Sequence, residues 1–222
     1  MNFAKCNITE VLKETHVRFT SLAKQKGLEF TLQVPEKDFY AHVNQEAFTK
    51  IISNLLNNGM KYAESYVHVM LEIPETDDDN LFRIRTVNDG VIIPDEMKEE
   101  IFKPFVRFNE QEDGKVTTGT GIGLALSRSL AELHQGTLAM ETGEESNIFC
   151  LTLPVVQDMT ITLTPEAEVE IDRVNEIPAE QAGRKDNRPT VLVVEDNPDM
   201  LTFVVRQLSR DYTVLTATNG AE

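Results

Sequence analysis

The sequence predicts an α+β fold: a two-layer α/β sandwich, followed by the βα(β) start of a second, parallel-sheet domain. Three observations predict it. Over residues 1–156, helical periodicity alternates with short strand patterns that come mostly as adjacent pairs, which favours an antiparallel-rich sheet with helices on one face. Over 157–188 the pattern breaks into an acidic stretch with Glu166, Glu168, Glu170, Asp172, Pro165 and Pro178, which reads as a linker with Met159–Leu163 as a candidate edge strand. From 189 to 222 a new pattern opens on Thr190-Val191-Leu192-Val193-Val194, a continuous apolar run suited to a strand buried on both faces.

The elements follow in order. Ile8, Val11, Leu12, Phe19, Leu22 and Ala23 recur at helical spacing, so Ile8–Lys26 is a helix with Gly27 where a C-terminal cap belongs. Leu28, Phe30, Leu32 and Val34 then alternate with polar residues, giving a half-buried strand closed by Pro35. A second helix runs from Gln45 to about Ala63. Its apolar stripe is Phe48, Ile51, Ile52, Leu55 and Leu56. Asn54, Asn58, Lys61 and Tyr62 share a different flank of it. Strands are expected at Tyr66–Ile73 and Leu81–Val87, joined by the acidic turn Glu75–Asn80. A short helix around Asp95–Phe102, a polar loop with Gly114 and Gly119, and a helix from Gly123 to about His134 come next. Strands Gly136–Glu141 and Asn147–Pro154 close the unit. In the tail, Asn197 is a candidate cap, Pro198 a first helical residue, and Tyr212–Thr216 a second strand.

Composition bounds the function. Hydrophobic residues are 41% and charged residues 26% of 222, ordinary for a globular chain with a sizeable core. A net charge of −16 argues against direct nucleic-acid binding, which needs a basic patch. Cys6 and Cys150 are too few for a disulfide scaffold and lack metal-ligand spacing, so both are expected to be reduced packing residues. No apolar run approaches the ~18 residues of a membrane span, and Met1–Cys6 holds no signal-peptide core, so the chain is expected to be cytoplasmic. It also reads as a piece cut at both ends: the amphipathic pattern begins almost at once, and Asn219–Glu222 stop in an expected loop.

Three segments can carry chemistry. The first, Gly119-Thr120-Gly121-Ile122-Gly123-Leu124, opens directly into a helix, where free N–H groups can meet an anion. It lacks the ending of a P-loop, and no buried strand precedes it. Alone it fits a flexible loop with a capped helix equally well. In the second helix, Asn54 and Asn58 offer carbonyl oxygens to a hard cation, and Lys61 can pair with phosphate. Alone, this is a solvated polar face. The third, Asn88-Asp89-Gly90-Val91-Ile92-Ile93-Pro94, is a turn whose side-chain acceptor could read an amino group, or an ordinary Asn/Asp/Gly turn.

Together and in this order they acquire a meaning. Asn54 to Tyr62 resembles the N box of histidine kinases, Asn88 to Pro94 their G1 box, Ile101 to Phe108 their F box, and Gly119 to Thr137 their G2 box with the helix after it. The resemblance covers roughly residues 3–156. It implies a Bergerat-type ATP-binding domain, with ATP and Mg²⁺ as its ligands. Asn58 would hold Mg²⁺, with Asn54 beside it. Lys61 would meet phosphate, and Tyr62 the sugar or base edge. Gly90 and Ile93 would shape the base pocket with Asn88, and Gly119, Thr120, Gly121, Gly123 and Leu124 the phosphate side. Residues from about Lys103 to Thr118 would form a lid, with Arg107 and Lys115 as candidate cations. The phenylalanines of the F box would dock it.

The chain departs from this family in two places in the G1 box. Where the family carries an Asp that accepts from the adenine amino group, this chain has Asn88. An alternative register puts Asp89 there but shifts Gly90 and Ile93-Pro94 out of step. The second glycine is Ile92, whose side chain could narrow the adenine pocket. The family's two-helix dimerisation domain with its phosphoacceptor His is not seen: His16, His42, His68 and His134 all lack that context, and His134 reads as structural. The fragment is therefore expected to bind ATP without efficient autophosphorylation.

The tail Pro189 to Asp199 resembles the start of a response-regulator receiver, in which two acids after the first strand bind Mg²⁺; Glu195 and Asp196 match them. The bland alternative is two carboxylates in a loop. These 34 residues cannot bury a core of their own. They are expected to be disordered, docked on the kinase core, or paired with a second copy through the Val-rich strand, giving a homodimer. The whole resemblance implies the catalytic domain of a hybrid sensor histidine kinase. The γ-phosphoryl would pass to a His on the dimerisation domain and then to an Asp on the receiver. The parent would be membrane-anchored with this part on the cytoplasmic side. Two other readings stay open: a degenerate module that acts by docking, and an ATPase of the chaperone or mismatch-repair type, which the tail disfavours.

Overall fold

Ala4–Asn7 (β1) leads straight into Ile8–Lys26 (α1), and both ends of that helix are capped. The Asn7 side chain accepts from the Glu10 N–H at 3.2 Å, and Gly27 adopts φ 71° to return its N–H to Ala23 and Lys24. The computed structural model describes residues 2–76, 79–108, 121–143, 145–156, 189–195 and 212–219, with 201, 204, 205, 208 and 209. Glu29–Gln33 (β2) and Tyr40–Val43 (β3) precede Gln45–Tyr62 (α2), which is N-capped by the Asn44 side chain. Tyr66–Glu72 (β4) and Leu81–Asn88 (β5) follow, then two 3₁₀ turns at Asp95–Met97 and Glu100–Phe102. Gly123–Leu133 (α3), Thr137–Thr142 (β6) and Asn147–Pro154 (β7) complete the first of two compact units, Met1–Gln157.

The main sheet runs β2-β4-β5-β7-β6; β2 and β4 pair in parallel, and the other pairs are antiparallel. Its order places β5 and β7 in the middle. Their inward positions oppose one another as Phe82–Leu153, Ile84–Leu151 and Thr86–Phe149, and the series ends on Asn88–Asn147. Such directly opposed pairs are the units of sheet stability. Phe82, Ile84, Leu151 and Leu153 are at most 1% exposed. The stripe of α2 packs over them, with Phe48, Ile51, Ile52, Leu55 and Leu56 all buried. α3 covers β6 and β7. On the alternate positions Arg85 lies between Glu72 at 3.4 Å and Glu141 at 3.0 Å. One apolar and one polar face is what an α+β sandwich requires.

Several expectations change. The short helix over 95–102 is two 3₁₀ turns instead: five of its eight residues are charged, which leaves too narrow an apolar stripe to hold a helix on the core. β1 and β3, an antiparallel pair, were not expected: each has four residues, too few to show a period. Cys6 and Cys150 are buried free thiols, as expected.

The second unit, Asp158–Glu222, has Thr190–Val194 (β8) and Thr213–Ala217 (β9) pairing in parallel. Between them, helical hydrogen bonds run from Ser209 to Val205 and from Tyr212 to Leu208. Burial of β8 on both faces is not observed: Leu192 is 62% and Val194 49% exposed, in a sheet with two strands among the described residues. Met159–Leu163 lies outside the described residues. Among the described residues no helix is long and apolar enough to cross a membrane.

Candidate functional site

A cavity of about 330 Å³ opens where the last turn of α2, the ends of β5 and β7, and the first turn of α3 converge. Its size is that of a small-molecule site. From α2 come Asn57, Asn58, Lys61 and Tyr62. They project there because the opposite flank of the helix is buried against the sheet. The Lys61 ammonium lies 4.6 Å from the centre of the Tyr62 ring and donates to its hydroxyl at 2.9 Å.

The wall at the end of the sheet is built by the Asn88–Asn147 pair. Asn147, 2% exposed, fixes the turn after β5. Its Oδ1 accepts from the Ile93 N–H at 3.0 Å, and its Nδ2 donates to the carbonyls of Gly90 at 3.3 Å and Val91 at 3.0 Å. Gly90 has no room for a side chain: a Cβ there would sit 2.0 Å from the Tyr62 carbonyl oxygen. The turn is thereby pressed against the end of α2, and Val91 and Ile93 line the cavity. Ile92 does not line it and is 37% exposed. The expected narrowing by Ile92 therefore does not occur, because the turn rotates that side chain away from the cavity.

Asn88 lines the cavity and is 3% exposed, with no hydrogen-bond partner for its amide among the described residues. Its neighbour Asp89 is engaged elsewhere. That carboxylate accepts from the N–H groups of Glu64, Ser65 and Tyr66 and from the Ser65 hydroxyl. Burial pushes its pKa up, but these donors outweigh it and hold the group at about 2. Of the two registers for this turn, the geometry favours the one with Asn88 in the pocket.

The opposite wall is Gly121, Gly123 and Leu124 with Val106, Arg107 and Phe108. Phe105 takes φ 66° and donates its N–H to the Gly121 carbonyl at 2.9 Å, which joins the segment after the 3₁₀ turns to the start of α3. Among the described residues no side chain caps the first turn of α3, and N–H groups at a helix start favour an anion. Asn54 is not a lining residue. Its Nδ2 donates to the Gly123 carbonyl at 3.3 Å and the Ser127 hydroxyl at 3.2 Å, tying α2 to that first turn. Arg128 pairs with Glu99 at 2.8 Å, lies 4.0 Å from the Phe102 ring and donates to the Leu138 carbonyl at 3.1 Å, which fixes the 3₁₀ turns on α3. Ile101 and Phe149 supply apolar floor.

The sequence profile of the "Histidine kinase-, DNA gyrase B-, and HSP90-like ATPase" family matches residues 43–157, just over half of the 222. The chain belongs to this ATPase family. Among curated proteins it is similar to histidine kinase P4 of Formosa agariphila, 28% identical over 98% of this chain and 17% of that one. It is also similar to sensor histidine kinase TmoS of Ectopseudomonas mendocina, 28% identical over 100% of this chain and 24% of that one. The chain thus spans about a fifth of the length of these relatives. Among solved structures the catalytic domain of histidine kinase ThkA superposes with a TM-score of 0.61, covering 70% of this chain and 97% of that one at 24% identity. That likeness speaks to the fold.

In this ATPase-family domain, then, Asn58, Lys61, Tyr62, Asn88, Ile93, Gly121, Gly123 and Leu124 meet at one cavity. Gly90 and Asn54 support it from behind. Gly119, Thr120, Lys115 and Asp196 lie outside the described residues. Glu195 belongs to the second unit, at the end of β8, its N–H donating to the Ala217 carbonyl at 3.1 Å. Sequence reasoning missed Asn147, Phe149 and Asn57. A signal for Asn147 existed: it is the polar residue in phase with Phe149, Leu151 and Leu153 on the inward side of a strand pattern.

Proposed function

We propose that this chain is the ATP-binding catalytic domain of a hybrid sensor histidine kinase, positioning ATP for transfer of its γ-phosphoryl to a His on a dimerisation domain and then to an Asp on a receiver. The convergence of Asn58, Lys61, Asn88 and the first turn of α3 on one cavity carries the reading. Phosphoryl transfer asks mainly for positioning and charge neutralisation. Lys61 and the first turn of α3 supply positive ends for phosphates, and Val91, Ile93, Ile101 and Phe149 supply apolar walls for a base.

Mg²⁺ fits the donor set. Among the described residues no group of three or more acidic, His or Cys side chains is placed to hold a metal ion by itself. Asn58 offers one carbonyl oxygen, and Mg²⁺ is ordinarily held by one or two protein ligands with phosphates and water. When bound, the ion neutralises phosphate charge. Glu195 and Asp196 would serve a receiver in the same way, and the parallel pairing of β8 with β9 supports a βαβ start. The parent protein would be membrane-anchored with this domain in the cytoplasm. A homodimer through the exposed Leu192 and Val194 edge is part of the same reading.

Calorimetric titration of Mg·ADP into the chain tests it. Wild type is expected to bind, and Asn58→Asp to bind at least tenfold more weakly, because a carboxylate replaces a neutral oxygen beside the phosphates. No heat of binding in wild type at saturating Mg·ADP overturns the reading in favour of a docking module.

A further inference from the structure

We propose that Asn88 makes this pocket tolerant at the six-position of a purine, so that it binds 6-oxopurine nucleotides as well as 6-aminopurine ones. The inference rests on the nucleotide reading above and deepens it. Asn88 is the last inward position of β5, is 3% exposed, lines the cavity, and has no hydrogen-bond partner for its amide among the described residues. Its amide atoms are not sealed away, since among the described residues the fully buried side-chain atom without a hydrogen bond is Arg85 Nε. A buried amide facing a cavity is satisfied by what enters it.

The groups around it do not compete for that role. Asn147, directly opposite in the register, has both ends of its amide bound to Gly90, Val91 and Ile93. The Asp89 carboxylate is held by Glu64, Ser65 and Tyr66. The neighbouring walls, Val91, Ile93, Ile101 and Phe149, are apolar and can touch the faces of a ring without reading its edge. Edge recognition on this side therefore falls to Asn88.

An amide carries one acceptor and two donors, and turning it by half a revolution exchanges their places. A 6-aminopurine presents an amino donor beside a ring-nitrogen acceptor. A 6-oxopurine presents a carbonyl acceptor beside a ring N–H. Asn88 complements either edge by turning. A carboxylate at this position accepts only, and would oppose the six-position oxygen with a second acceptor, leaving both unpaired. A site that leaves buried polar groups unpaired rejects the ligand strongly.

The test is calorimetric titration of Mg·ADP and Mg·IDP into the full 222-residue chain and into Asn88→Asp, with folding checked by circular dichroism. In wild type the two dissociation constants are expected to lie within about tenfold of each other. In Asn88→Asp the preference for ADP is expected to grow by roughly tenfold or more, in line with the cost of one unpaired buried acceptor. Wild type that binds ADP but disfavours IDP by more than tenfold overturns this inference and leaves the nucleotide reading standing. Equal discrimination by wild type and variant also overturns it. Binding of neither nucleotide removes both. Should the variant not fold, the wild-type ratio alone decides between the first two results.

Discussion

Asn88 and Asp89 are adjacent, similar in shape, and opposite in duty. Alternation along β5 sends Asn88 inward to the cavity, while Asp89 leaves the strand and anchors the turn between α2 and β4. The carboxylate accepts from Glu64, Ser65 and Tyr66, and such charge-assisted bonds are the stronger class. Asp89→Ala is expected to destabilise the domain by about 2 kcal/mol, because the turn is partly wet and water replaces some of the lost acceptor. For a chain of this size that lowers the melting temperature by about 4–8 °C. Asp89→Asn, which keeps one acceptor oxygen, is expected to lose less. Thermal melts of the two variants check the order. Equal melting of Asp89→Ala and wild type would show that the turn does not depend on the carboxylate.

Among the elements, two glycines share a left-handed backbone and differ in what surrounds them. Gly27, at the end of α1, has φ 71° and nothing within 4 Å of the place an added Cβ would take. Gly121, before α3, has φ 69°, and a Cβ there would approach the Phe105 backbone to 2.9 Å. Gly27→Ala is expected to cost only the conformational term, about 1 kcal/mol, with nucleotide affinity unchanged. Gly121→Ala forces apart the Phe105–Gly121 bond and is expected to weaken Mg·ADP binding by roughly tenfold, since Val106 and Arg107 line the cavity just beyond it. Melts beside titrations separate the two. This contrast also shows what the sequence could reveal. Helices α1, α2 and α3 and strands β4, β5 and β7 were legible because apolar periodicity and cap residues agree there. So was the gathering of Asn58, Lys61, Asn88 and Gly123, which follows from ordered motifs. Three things were not legible. β1 and β3 are too short to show a period. The position of Ile92 depends on a turn held by Asn147, ~55 residues away in sequence, and pairing register is not written locally. Asn54 looks like a ligand on a helical wheel, yet the approach of α3 turns it into a tie between helices.

At the scale of the whole domain, acid should act in two separate steps. His134 is fully buried between α3 and the start of α2. Its Nδ1 faces the Leu130 carbonyl at 2.6 Å and its Nε2 accepts from the Asn44 N–H at 3.1 Å, so the neutral ring bridges the end of α3 to the cap of α2. Burial lowers its pKa below the ordinary value. The unfolded chain takes up a proton near pH 6.5 that the folded chain refuses. Stability from this group is therefore complete above about pH 6.5 and is lost as pH falls through the range below it, with a slope of at most about 1.4 kcal/mol per pH unit. Asp89 acts later. Its folded pKa of about 2 lies below the unfolded value of about 3.9, so its contribution is present above about pH 4 and is lost between there and pH 2. Melting temperature followed from pH 8 to pH 3 should show a first decline starting near 6.5 and a second below 4. His134→Gln, which cannot titrate, is expected to start lower at pH 8 and to lack the first decline. Asp89→Asn is expected to keep the first decline and flatten the second. If His134→Gln retains the full decline between pH 6.5 and 5, the bridge from α3 to the α2 cap is not the acid-sensitive joint of this fold.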